Sequence, residues 1–244
     1  MLSLQEVEEK LNFWNWPHHH WDTTLGGVHL SFNPKTMIMT WIVMIIVAFF
    51  AVSATRNMDL RRPRGAQNVL EMMFEGIRNL VNQNMDPQKG ANLLSIVVTF
   101  FIFILFSNMI GLIPTLSSPT ADYNTTFALS LTTFVLIYIF GIRYKGAGYF
   151  KHYFQPYVFF LPINLIEDLS KPITLAFRLY GNIYGGEVLI AVLLGLLTGW
   201  VDVCGGFIAS VIWLAFSIFV GFIQAFIFTM LSIAYVSQAV AENH

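Results

Sequence analysis

Leu93-Leu94-Ser95-Ile96-Val97-Val98-Thr99-Phe100-Phe101-Ile102-Phe103-Ile104-Leu105-Phe106-Ser107-Asn108-Met109-Ile110-Gly111-Leu112-Ile113 contains no ionisable side chain. As a helix rising about 1.5 Å per residue it is roughly 31 Å long, close to the ~30 Å hydrocarbon thickness of a bilayer. Pro114 ends the run, and Ser117-Ser118-Pro119-Thr120 reads as a loop. Comparable apolar runs occupy about 36–55 and 125–142, and two longer ones cover about 158–199 and 205–240. The last two exceed the ~20 residues that an upright span needs, so they tilt, kink or pass the membrane edge. Their connecting turn is expected around Asp202, Gly205 and Gly206.

Composition agrees. Of 244 residues, 56% are hydrophobic and 11% charged, against roughly 45–50% and 25% in soluble domains. Mean hydropathy is +0.63. Lipid must be the solvent for most of this chain. The net charge of −1 offers no electrostatic footprint for nucleic acid. Cys204 is the single cysteine, so no internal disulfide can form. Neither a metal-ligand spacing nor a cofactor motif appears, and His18-His19-His20 reads as solvated. Gln5, Glu6, Glu8 and Glu9 stand where a secretory leader would be basic, so no leader is expected.

Residues 66–89 differ from the spans. Val69, Leu70, Met73, Phe74, Ile77, Leu80 and Val81 recur at helical spacing among Glu71, Glu75, Arg78 and Asn82. This predicts an amphipathic helix, lying on the membrane surface or packed on protein. Residues 1–34 are expected to be an external segment, irregular or short-helical, and 35–244 a single membrane domain. The fold class is all-α and polytopic: about five membrane-embedded helices, the last two long and tilted, plus one interfacial helix. Arg56, Arg61, Arg62, Arg64, Arg78 and Lys89 sit between the first two spans, and Arg143, Lys145 and Lys151 between the third and fourth. The positive-inside rule puts both loops and the C-terminus in the cytoplasm and the N-terminus outside.

Polar residues inside the apolar runs carry the chemistry. Arg178 lies within Ile173-Thr174-Leu175-Ala176-Phe177-Arg178-Leu179-Tyr180-Gly181-Asn182. An arginine at mid-membrane costs about 2.5–3.5 kcal/mol on insertion scales, and its guanidinium does not deprotonate. The alternative is an arginine that snorkels or pairs with a distant carboxylate. Asn164, Glu167, Lys171, Arg178 and Asn182 share one helical face, with Asp168 at its edge. From Asn164 to Arg178 is roughly 21 Å of axis, so the stripe fits a water path reaching the arginine. Equally, Glu167 and Lys171 fit an ordinary surface pair. Glu187 falls on the opposite face, about 13 Å further along. In the last run Ser210, Ser217 and Gln224 recur every seven residues, with Tyr235 and Gln238 near that face. Gln224 should meet a partner helix. Asp122 and Asn124 either cap the third span or line the mouth of an outer water path, and Asn108 is polar within the second span. No Ser-His-Asp, Cys-His or HExxH arrangement occurs, and Gly185-Gly186 lies inside a membrane helix rather than between strand and helix. The chain is expected not to be an enzyme by itself.

Three motifs resemble a known family. Ser170-Lys171-Pro172 with Arg178-Leu179-Tyr180-Gly181-Asn182-Ile183-Tyr184-Gly185-Gly186-Glu187, then Gln224-Ala225-Phe226-Ile227-Phe228-Thr229-Met230-Leu231, and Pro119-Thr120-Ala121-Asp122-Tyr123-Asn124 are similar to signatures of subunit a of the F-type rotary ATP synthase. The resemblance covers about 35–244. It implies a proton-translocating stator in which Arg178 faces the carboxylates of a c-subunit ring, with Asn182 and Gln224 as neighbours. It assigns Asp122, Asn124 and Glu187 to an outer half-channel, a path that the polar Asn108 of the second span could also line, and Asn164, Glu167, Asp168 and Lys171 to an inner one. Ser217 stands where some members carry a histidine, so a Glu-His proton pair is not expected here. Implied partners are the c-ring, b-type peripheral stalk subunits, the remaining synthase subunits and the lipid bilayer. The implied location is a bacterial plasma membrane or an organellar inner membrane. A secondary ion transporter and a structural membrane scaffold are the alternatives. The lack of an internal repeat weighs against the first and Arg178 against the second.

Overall fold

The computed structural model describes residues 21–25, 28–56, 65–113, 116–154, 157–195 and 200–241. Two short antiparallel strands, β1 (Trp21–Leu25) and β2 (Val28–Phe32), pair from Trp21 with Phe32 to Leu25 with Val28. The expectation of an irregular or short-helical segment is corrected there. Thr23, Thr24 and Val28 favour extended backbone. His18, His19 and His20 lie outside the described residues.

Six helices follow: α1 (Pro34–Thr55), α2 (Ala66–Asn84), α3 (Pro87–Ile110), α4 (Tyr123–Lys145), α5 (Leu161–Gly195) and α6 (Trp200–Val240). Two of them, α1 and α3, start by one local rule. Asn33 caps α1 by accepting from the Lys35 N–H at 3.1 Å, and Asp86 caps α3 by accepting from the Gln88 N–H at 3.0 Å. Each is followed by a proline, whose missing N–H costs nothing at the first helical position. The amphipathic helix is shorter than the sequence suggested. It stops at Asn84, because the Asp86-Pro87 cap starts a new helix where 66–89 had been read as one. The expected turn around Asp202–Gly206 is also corrected, since these residues are helical within α6. Two adjacent glycines do not break a helix when the flanking run is this apolar.

Helices α1, α3, α4 and α6 are each long and apolar enough to cross a membrane. Helix α5, with 35 residues, and α6, with 41, are roughly 52 and 62 Å long, well beyond the ~30 Å hydrocarbon core. The protein is thus an all-α multi-pass membrane protein. Helix α3 is the most enclosed of the four, packed against α6, α2 and α1. Its Leu93, Val97, Phe101 and Ile104 join Leu175, Leu179, Phe228 and Ile233 in one core. Helix α1 buries only Met39, Val43 and Ala54, and leaves Trp41, Ile45, Phe49 and Val52 exposed. Helix α2 buries Ile77 and Val81 against the bundle and keeps Glu71, Glu75 and Arg78 exposed.

After α4, the chain turns at Gly146 (φ 59°) into a 3-10 segment, Gly146–Phe154, that folds back on the helix. Gly141 makes this possible, because a Cβ there would stand 2.6 Å from the buried Tyr149 ring. Gly141→Ala should therefore destabilise the protein by about 1–3 kcal/mol, the usual cost of overpacking. The thermal midpoint in detergent measures it, and an unchanged midpoint means that the ring moves aside freely.

Candidate functional site

The polar residues form three groups along α5 and α6. At the end of the bundle where α4 begins, Asp122 caps α4 by accepting from the Asn124 N–H at 2.8 Å. Its other carboxylate oxygen accepts from the Thr36 hydroxyl of α1 at 2.8 Å. Below it Thr120 donates to Asn108 Oδ1 at 2.8 Å, and Asn108 Nδ2 donates to the Gly221 carbonyl of α6 at 2.9 Å. Ser118 donates to the Ser107 carbonyl at 2.9 Å. These bonds tie the loop to α3 and α6. Asp122 thus acts as the helix cap that its position suggested, and Asn108 is 3% exposed with both ends of its amide satisfied. Asn124 is exposed beside them.

The second group surrounds Arg178. This residue is partly buried at the edge of an exposed α5 face that also carries Thr174, Phe177, Gly181 and Gly185. Among the described residues no ion pair or hydrogen bond involves its guanidinium. One helical turn on, Asn182 Nδ2 donates to Gln224 Oε1 of α6 at 2.8 Å. Gln224 is 2% exposed, and its Nε2 has no partner among the described residues. A cavity of roughly 280 Å³ opens beside this pair, lined among others by Asn108, Gly181, Asn182, Gly185, Trp213 and Ser217. Asn182, Ser217 and Asn108 thus line one cavity, with Gln224 bonded to Asn182 and Arg178 one helical turn away in the chain. Glu187 lies within α5, but its side chain is outside the described residues.

The third group sits at the basic end, where α5 starts. Asp168 is 4% exposed. Lys171 Nζ donates to it at 2.5 Å, and the Tyr153 hydroxyl donates to its other oxygen. Tyr153 also meets the Tyr138 hydroxyl of α4 at 2.7 Å, and Asn164 Nδ2 donates to the Tyr153 carbonyl at 3.1 Å. Lys171 lies 5.8 Å from the Tyr235 ring of α6. The pair suggested between Glu167 and Lys171 is corrected, because Lys171 pairs with Asp168 and Glu167 stays exposed. Burial is the reason, since the enclosed carboxylate needs the cation more than the solvated one does. Sequence reading had no signal for Tyr153 or Tyr138, because neither repeats with a helical period, and it showed Ser118 and Thr120 only as part of a loop, without their hydrogen bonds.

The chain therefore defines a class: a multi-pass membrane protein with an arginine and an interhelical amide pair on its long last two helices. The sequence model of the ATP synthase A chain family matches residues 37–237. The chain is 54% identical over 242 residues to ATP synthase subunit a of Desulforamulus reducens, covering 98% of this chain and 92% of the relative. It is 40% identical to ATP synthase subunit a of Priestia megaterium (92% and 99% covered) and 36% identical to that of Bacillus subtilis (93% and 100%). The chain belongs to the ATP synthase A chain family and is a membrane subunit of a rotary ATP synthase.

The geometry carries two predictions. Asn182→Leu leaves Gln224 Oε1 buried without its donor. The coupling between Asn182→Leu and Gln224→Leu in a double-mutant cycle of detergent stability should be about 0.6–1.7 kcal/mol, the range of interhelical hydrogen bonds in membranes. Zero coupling means that the bond does not form. The second concerns Tyr149 in the 3-10 segment, whose pKa rises from 10.0 to about 12, first through burial and then through the nearby Asp168 charge. The folded state then holds a proton that the unfolded state releases. Stability from this source is complete below pH 10.0 and falls as pH rises towards about 12. Alkaline unfolding followed by tyrosinate absorbance should lose that component in Tyr149→Phe.

Proposed function

We propose that this chain is the proton-conducting stator of the synthase, with Arg178 separating two offset half-channels that serve the carboxylates of a rotating c-subunit ring. The observation that carries the reading is a permanently charged guanidinium on a membrane helix, without a carboxylate partner among the described residues and beside an exposed face. Such a charge calls for an anion from outside the chain. A Cβ at Gly181 or Gly185 would meet nothing within 4 Å, which leaves room for a partner helix to approach Arg178 closely.

The mechanism follows from electrostatics. A ring carboxylate crosses lipid only when neutral. Beside Arg178 it is favoured as an anion, because an opposite charge lowers its pKa. A proton must therefore leave towards one half-channel before the arginine and arrive from the other after it. The fixed cation also repels protons and keeps the two paths from joining. Asn182, Ser217 and the cavity beside them, with Asp122, Asn124, Asn108 and Glu187, belong to the outer path in this reading. Asn164, Glu167, Asp168 and Lys171 belong to the inner end. Each proton crossing 100 mV supplies about 2.3 kcal/mol, so several pass for each ATP.

The chain itself makes no bonds in this role, and catalysis belongs to other subunits. Its partners are the c-ring, the b-type peripheral stalk and the remaining synthase subunits. The membrane is a bacterial plasma membrane, with the N-terminus outside and the C-terminus cytoplasmic. Arg56 after α1, Arg78 within α2, Lys89 at the start of α3, and Arg143 and Lys145 at the end of α4 support that orientation. The test is Arg178→Ala in inverted vesicles, with the assembled complex quantified. ATP-driven acidification and ion-driven synthesis should both vanish while assembly persists. Coupled transport near the wild-type rate would make the arginine structural and the reading wrong.

A further inference from the structure

Asp168 is the one carboxylate in α5 that is buried among the described residues, and its two oxygens accept from Tyr153 and Lys171. Its position on the helix is informative. Pro172 lies inside α5, four residues after Asp168. In a regular helix the N–H of residue 172 would bond the carbonyl of residue 168. Proline has no N–H, and its ring crowds that carbonyl. The break in the backbone ladder therefore falls on the turn that Asp168 occupies, and such breaks are where helices bend. Arg178 stands six residues beyond the proline, about 9 Å along the axis. A change of roughly 20° at the break displaces it by about 3 Å.

We propose that Asp168, Lys171, Tyr153 and Tyr138 form a brace across the proline break of α5, so that Asp168 is a positioning residue that sets the direction of the Arg178 segment and carries no transported proton. This rests on the proposed function and divides its inner path: the exposed Glu167 stays available to water, and Asp168 does not. Lys171 spans the break within α5, from one residue before the proline to Asp168 on the preceding turn. Tyr153 anchors the same carboxylate to the 3-10 segment, and through Tyr138 to α4. Asn164 ties the start of α5 to the Tyr153 backbone, and Tyr235 holds Lys171 from the α6 side. The break is thus fixed from three neighbouring elements. The titratable groups facing Asp168, among those described, are Lys171, Tyr153, Tyr149 and Tyr138, with Tyr235 behind Lys171. Burial and the Asp168 contact push the Tyr153 pKa further up, so it remains a donor.

The experiment compares Asp168→Asn, Tyr153→Phe, their double variant, Glu167→Gln and Arg178→Ala in inverted vesicles with the assembled complex quantified. ATP-driven acidification is followed as a function of pH. Each brace variant should slow acidification by roughly tenfold or more, the scale expected when a working group is misplaced by an ångström or so. The pH profile should keep its wild-type midpoints, and the double variant should be no slower than the slower single one. Glu167→Gln should shift the profile. A shifted profile in Asp168→Asn overturns the brace, as do additive losses or a wild-type rate in Tyr153→Phe. If Asp168→Asn fails to assemble, Tyr153→Phe decides alone, because it keeps every charge and ring in place. Acidification by Arg178→Ala at the wild-type rate overturns the proposed function itself. Loss of activity in Arg178→Ala together with a shifted Asp168→Asn profile overturns the brace alone.

Discussion

A guanidinium keeps its charge at any depth in a membrane, and α5 carries one at Arg178. Around that fixed cost the rest of the bundle makes sense. The helix bearing it is long, broken once by Pro172, and packed on α4 and α6. Its buried side, with Leu175, Ala176 and Leu179, is as apolar as any core. Its other side is left exposed near the arginine, with Thr174, Phe177, Gly181 and Gly185. A chain that spends insertion free energy on such a residue must recover it through a partner anion or through function. In the proposed role it does both, since the anion belongs to a ring that turns.

The polar contacts within the bundle divide into two kinds. Asp122 with Thr36, Asn108 with Gly221, and Asp168 with Tyr153 and Lys171 are closed: donor and acceptor are both protein, and they hold loops to helices. Asn182 with Gln224 is half open, because one amide nitrogen of Gln224 remains without a partner and Asn182 lines a cavity. Closed contacts give rigidity. Half-open ones leave a site for water or an incoming group. The half-open pair lies one turn from Arg178.

Much of this was legible in the chain because lipid makes strong demands. Every spanning run must be apolar and helical, so the spans stand out in the sequence, and Arg178 stands out within them. Asp122 marks a helix start by a rule that depends on a few adjacent atoms. The same locality misled in two places. The apolar face of 66–89 continued past Asn84 in pattern, but Asp86-Pro87 stopped the helix. Gly205 and Gly206 resembled a turn, but the surrounding apolar run kept them helical.

The sequence alone therefore determined the solvent, the helical class, the amphipathic α2 and the charge that has to be explained. These depend on hydropathy and on periods of a few residues. Only the tertiary structure decided which polar groups meet. Lys171 could reach Glu167 or Asp168 with equal ease along the helix, and burial by Tyr153, 15 residues before Asp168 in a separate segment, selected Asp168. Asn182 and Gln224 are 42 residues apart. Their contact depends on how two long helices cross, a property of packed surfaces that no local pattern encodes.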